Sequence, residues 1–310
     1  MRIPPYWARG SYTQKKGWFG SDTFTAVGWS FDNIDEARAQ ADEKAKRIFD
    51  RWKNGQTLDR YEYGERHVCE EIVNRIEIDG AEIAIITRNR YGALILNAAN
   101  VMFIDVDFEV DAYPATGDTI PPGDEMEPKP VEKKAGFWKS LWPAVPRSDS
   151  PERRAERENE KRLRITQWFA SNPERSGRVY RTAKGFRVIL TDRPISPTSD
   201  ETRQIFQAMK ADPLYQKLTE RQESYRARLT PKPWRLEVGR LQVSVWPRER
   251  PQDQKKFNAW LKLYESESHE HEVCHLVEAI GSPTMSKEIA AVVNAHDALT
   301  MNQKKRCALA

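Results

Sequence analysis

The chain has 310 residues, of which 39% are hydrophobic and 31% charged, with ten Trp, ten Tyr and eleven Phe. That much aromatic surface can offset chain entropy, which excludes wholesale disorder and allows one large domain or two modest ones. Fifty basic against 46 acidic residues leave a net charge of only +4, so any nucleic-acid binding must come from local basic clusters rather than bulk charge.

In chain order, Tyr6 to Tyr12 and Thr23 to Trp29 read as two strands around a glycine-containing loop. Asp32 or Asn33 then caps a helix whose apolar stripe is Ile34, Ala37, Ala41, Ala45 and Ile48. A second helix is expected over residues 68–77, followed by two apolar strands, AEIAIITRN and YGALILN, leading to VMFIDVDFEV. Residues 112–151 are rich in proline and charge and lack periodicity, as a disordered surface insert would be. Within them Phe137, Trp138, Leu141 and Trp142 can form a short amphipathic turn that docks back or grips a protein partner.

After the insert comes a charged helix over about 152–171, then two strands joined at Lys184-Gly185, a hairpin signal. A helix over about 199–211, capped by Ser199 or Asp200, precedes the strand SYRARLT; RLQVSVW reads as a further strand. Residues 251–310 are expected to form a helical tail, a second candidate partner surface. The expected organisation is an N-terminal αβ region (1–98), a central module (99–250) and this tail. The fold class is α+β. From residue 101 to 230 the order is strand, helix, strand, strand, helix, strand. That βαββαβ order is the RRM-like or palm-like layout, a four-stranded antiparallel sheet with helices on one face and the other open.

Asp105, Asp107 and Glu109 alternate with Val106 and Phe108, so the carboxylates share one strand face. Like charges at i and i+2 are unfavourable unless a cation lies between them, and a hard divalent ion such as Mg²⁺ or Mn²⁺ would remove the repulsion. With a two-residue loop at Lys184-Gly185, Thr182 is expected opposite Arg187. Arg226 and Arg228 share a face, with Tyr225, Ala227 and Leu229 pointing inward, and Lys232, Trp234 and Arg235 follow. Arginine forks bind phosphate oxygens bidentately, Lys184 adds a point charge, and Trp234 can stack on a base. The bland reading of the same residues is a structural salt-bridge cluster.

This arrangement resembles the catalytic module of archaeo-eukaryotic primases and primase-polymerases over about residues 99–235, less the insert. The resemblance implies that Asp105 and Asp107 bind metal and that Thr182 and Gly185 occupy the family's hydroxyl and glycine positions. Arg187 stands where the family has a phosphate-contacting histidine. The family's third carboxylate has no counterpart in YRARLTPKPWR, the nearest being Glu237. The activity implied is metal-dependent nucleotidyl or phosphoryl transfer on a nucleoside triphosphate or nucleic acid. YRTAKGFR and ARLTPKPWR also resemble a bacterial family that brings no function with it. Two alternatives use the same fold, a catalytically silent nucleic-acid-binding module and an assembly component.

A rival motif is His271-Glu272-Val273-Cys274-His275, which satisfies the HExxH pattern of zinc hydrolases if helical; the plainer reading is a polar helix face with Val273, Leu276 and Ala279 inward. His296-Asp297 reads as helix surface. Three cysteines, at 69, 274 and 307, suit neither a disulfide framework nor a four-cysteine zinc site. With no signal-like run and no long apolar segment, a cytoplasmic protein without membrane contact is expected.

Overall fold

The computed structural model describes residues 1, 3–16, 20–56, 67–108, 150–239, 241, 243, 246–302 and 306–310. Glu109, the Phe137–Trp142 cluster, nearly all of the 112–151 insert and most of the RLQVSVW strand expectation lie outside them.

The chain opens with β1 (Tyr6–Lys16) paired antiparallel to β2 (Gly20–Ser30). Next is α1 (Ile34–Lys53), begun by the Asn33 side chain accepting from the Glu36 N–H. It buries Ala37, Ala41, Ala45 and Phe49 on the hairpin, while Ile34 stays exposed. The small residues are needed because Gly28 brings strand and helix backbones together: a Cβ there would lie 2.1 Å from the Ala37 carbonyl oxygen.

Then come β3 (Glu71–Ile78), β4 (Ala81–Arg88), β5 (Leu94–Ala98) and β6 (Phe103–Asp107). The helix expected over 68–77 is therefore a strand. Ile72, Val73 and Ile76 are β-branched and stiff in a helix, and Asp79-Gly80, both at positive φ, make the tight turn of a β3–β4 hairpin. After the insert follow α2 (Pro151–Ser171), β7 (Gly177–Thr182), β8 (Gly185–Leu190), α3 (Asp200–Met209), α4 (Pro213–Gln222) and β9 (Tyr225–Arg228). The C-terminal part holds α5 (Pro251–Ser268), β10 (His271–Glu272), β11 (Cys274–Ile280), α6 (Lys287–Thr300) and β12 (Ala308–Leu309), so the tail is not wholly helical.

Two four-stranded sheets carry the molecule, in the orders β3-β4-β5-β9 and β11-β7-β8-β6. All their pairings are antiparallel, which makes this a mixed α+β fold with several antiparallel sheets. β7, β8 and β6 are neighbours as the strand order implied, but β9 pairs with β5, and β11 takes the fourth place on the far side of β7. The outer edge of β6 meets α4 and β9 by other means. The Asp105 carbonyl accepts from the Asp212 N–H (3.1 Å). The buried Tyr215 hydroxyl donates to the Phe103 carbonyl (3.2 Å) and accepts from the Arg226 N–H (3.2 Å). One phenol thus bridges the two sheets where a ladder was expected.

The helices are not confined to one face. On one side of β6-β8-β7, Phe169 of α2 packs against Gly177 and Glu158 pairs with Arg181. On the other, His296 of α6 meets the rings of Phe103 (5.6 Å between centroids) and Tyr180 (4.8 Å). The face expected to be open is partly roofed by α6.

Candidate functional site

β6 is a run of buried apolar residues up to Ile104, and Val106 continues it, so alternation turns Asp105 and Asp107 to the face that α6 partly covers. Asp105 lies directly across from Arg187 on β8. The guanidinium forks over the carboxylate, with Nε 2.9 Å from Oδ1 and Nη2 3.4 Å from Oδ2. Arg187 is buried and the Asp105 side chain 29% exposed, so the cation is fixed in the protein and the anion reaches solvent.

The hairpin turn falls one residue earlier than the sequence suggested. Arg181 pairs with Phe186 and Tyr180 with Arg187, so Tyr180, not Thr182, is opposite the arginine. The loop residues are then Ala183 and Lys184. Thr182 remains on the same face by alternation, beside Cys274 of β11.

Asp107 is opposite Gly185, whose missing side chain is required: a Cβ there would sit 2.3 Å from the Val106 carbonyl oxygen. Burial, then the charges of Asp105 and Asp212, push the Asp107 carboxyl up to about 7, while Lys232 and Lys184 act to lower it. Asp212 was missed from the sequence. Asp212-Pro213 is legible as a helix start, and the side chain caps α4 by accepting from the Leu214 N–H at 3.0 Å. Its approach to β6 is tertiary.

The β9 arginines do not close a ring with Arg187. Arg226 Nη2 donates to both oxygens of Glu70 (2.8 and 2.9 Å), a carboxylate that no local pattern connects to it. Arg228 contributes its backbone carbonyl, which accepts from Arg187 Nη1 at 3.0 Å. Tyr225, Ala227 and Leu229 point into the core as expected. Lys232 and the partly buried Arg235 lie in the 3-10 turn region after β9, where the Arg235 N–H bonds the Lys232 carbonyl (2.9 Å).

No family model, curated protein or solved structure matches the chain. The function must therefore be read from the site itself.

His296-Asp297 is not helix surface: His296 is wholly buried, and it backs Arg187. Its Nε2 is 3.4 Å from Arg187 Nη1 and its Nδ1 2.9 Å from Asp297 Oδ1. Burial pushes the imidazole down to about 4, so it is neutral, and the neighbours fix its tautomer, Nδ1–H donating to Asp297 and Nε2 accepting from Arg187. Asp297 also accepts from Tyr180 Oη (2.7 Å) and Arg178 Nη2 (2.9 Å). Asp105 is thereby tied through Arg187, His296 and Asp297 to Arg178. Cys274 Sγ is 3.9 Å from His296 Nε2, but the set is no nucleophilic triad. Burial holds the thiol up at about 11 and the imidazole down at about 4, so at neutral pH the thiol stays protonated and the imidazole is too weak a base to take its proton.

The HExxH reading fails on secondary structure. His271 and His275 lie on β10 and β11, not on successive turns of a helix. Glu272 is buried and anchors the chain end, accepting from the Asn302 N–H (2.6 Å) and the Cys307 N–H (2.7 Å). Among the described residues no three His, Cys, Asp or Glu side chains are grouped to hold a metal ion by themselves, and no helix is long and apolar enough to cross a membrane. Two carboxylates do suit an ion that takes its remaining ligands from water and substrate phosphates, as Mg²⁺ does.

Proposed function

We propose that this protein is a divergent metal-dependent nucleotidyl- or phosphoryl-transfer protein, similar in its site to primase-polymerases, that binds a nucleoside triphosphate or nucleic acid through Asp105 and Asp107. The observation that carries the reading is geometric: Asp105 and Asp107 share one face of β6, Arg187 forks over Asp105 at 2.9 Å, and the Asp212 N–H bonds the Asp105 carbonyl at 3.1 Å. The Asp107 carboxyl is raised first by burial and then by the charges of Asp105 and Asp212, with Lys232 and Lys184 acting to lower it, and carboxylates acted on by nearby cations suit a divalent ion and an anionic ligand. The adjacency of β7, β8 and β6 agrees with a palm-like module in which Tyr215 links β9 to β6.

Asp105 and Asp107 are the residues that would hold Mg²⁺ or Mn²⁺, and the ion when bound supplies charge neutralisation and polarisation of the phosphoryl group. Arg187 fixes the rotamer of Asp105 from behind. Lys184 and Lys232 meet phosphate oxygens as point charges, with Thr182, Arg228 and Arg235 as further candidates, and Arg226 acts through its pair with Glu70. Catalysis on this reading is electrostatic clamping of in-line transfer.

A second reading has its own observation. Among the described residues no third His, Cys, Asp or Glu is grouped with Asp105 and Asp107 to complete a metal site, as in a module that binds nucleotide or nucleic acid without turnover. The two part in a thermal-shift screen of nucleoside triphosphates with and without Mn²⁺, on wild type and Asp107→Asn at fixed salt. A shift that needs both ligands and is lost in the variant supports the first reading. Binding that ignores EDTA and falls with salt supports the second. No shift with any nucleotide removes most of the support for the first.

A further inference from the structure

We infer that Trp234 is the stacking platform for the nucleobase of the ligand whose phosphates lie at Asp107; this rests on the metal-and-phosphate reading of that site. Trp234 is 40% exposed although it sits in a well-fixed turn, Pro233–Arg235. The Lys232 ammonium lies 5.3 Å from the indole centroid. The chain that carries both residues leaves β9 at Arg228, whose carbonyl accepts from Arg187 Nη1 (3.0 Å), the guanidinium that forks over Asp105 (2.9 Å), so the turn starts beside the carboxylate face. Tyr91 meets Trp234 edge to face, with centroids 5.5 Å apart and planes at 79°, and Arg90 lies 5.2 Å from the Tyr91 ring. An aromatic flanked by cations is the composition that receives a base and its phosphates.

Both supports are rigid. The Pro233 carbonyl accepts from the Leu236 and Val238 N–H groups (3.1 and 3.3 Å), and the Pro231 carbonyl from the buried Tyr264 hydroxyl (2.6 Å). Under Tyr91, the Asn89 side chain accepts from the N–H groups of Tyr91 and Ala93 (3.0 and 3.1 Å). Gly92, at φ +93°, lies so close to Trp260 that a Cβ would be 2.4 Å from its ring. An indole held in place before binding loses little freedom when a base stacks on it.

The test is calorimetric titration of wild type, Trp234→Ala and Trp234→Phe with ATP and with inorganic tripolyphosphate, both in Mn²⁺, and with a short oligodeoxythymidine. Trp234→Ala is expected to weaken the base-bearing probes roughly tenfold or more, to leave tripolyphosphate affinity unchanged, and to be largely rescued by Trp234→Phe. Loss confined to ATP assigns the base to a free nucleotide; loss confined to the oligomer assigns it to a single strand. Equal loss for tripolyphosphate, or no loss for any probe, overturns the platform while leaving the metal site standing. Wild type that binds none of the probes sinks both.

Discussion

Asp107 and Arg187 show how single side chains set the terms of the site. A carboxyl raised to about 7 in the folded state, against 3.8 ordinarily, contributes stability that is fully present below about pH 4 and lost as pH rises through 7. Asp107→Asn should therefore melt several degrees higher than wild type at pH 8, with the difference vanishing near pH 4, while losing any Mn²⁺-dependent nucleotide shift. A variant less stable than wild type at pH 8 would show that the carboxylate is welcome where it sits. Arg187 is the opposite case, a buried cation with its counterion. Removing one member of a fully buried pair typically costs about 3–5 kcal/mol; the Asp105 side chain is 29% exposed and can turn to water, so loss of Arg187 costs less than that range. Arg187→Met should show that loss in denaturant melts, and adding Asp105→Leu should recover part of it.

Secondary-structure elements matter here through close backbone approach. β6 and β8 meet at Gly185 with no room for a methyl group. Gly185→Ala should cost about 1–3 kcal/mol, as overpacking does, and should move the Asp107 end of β6, so that metal and nucleotide responses fall with stability. Retained stability with a retained response would mean that the strands part easily. Much at this scale was legible beforehand. Helical periodicity and caps located α1 and α3, whose caps Asn33 and Ser199 form, and the charged run located α2, whose Ser150 cap falls in the stretch read as insert. The apolar runs located β4, β5, β6 and β8. Two errors had local causes: the Asp79-Gly80 turn outweighs the apparent helix over 68–77, and the hairpin closes at Ala183-Lys184 because Gly185 is needed inside the strand, against β6.

For the whole molecule, α6 is decisive. It lays His296 on the face of the site and ties Asp105 to Arg178 through a single hydrogen-bonded chain. His296, lowered to about 4 from 6.5, contributes stability that is complete above pH 6.5 and lost as pH falls towards 4, on the order of 3 kcal/mol. Asp107 works in the reverse sense over nearly the same window, so the two contributions oppose each other between pH 4 and 7. Asp107→Asn should uncover a steep loss on acidification, and His296→Phe a loss on raising pH. Parallel pH–stability curves for all three proteins would refute this opposition.

The sequence by itself determined the capped helices, the apolar strands and the alternation that turns Asp105 and Asp107 to one side, because each depends on neighbours a few residues away. Only the tertiary structure decided that β9 joins β5, that β11 borders β7, that Asp212 and His296 reach the site, and that Arg226 faces Glu70. Those outcomes join residues up to about two hundred positions apart, and they follow from which surfaces are buried together, a quantity no local pattern carries.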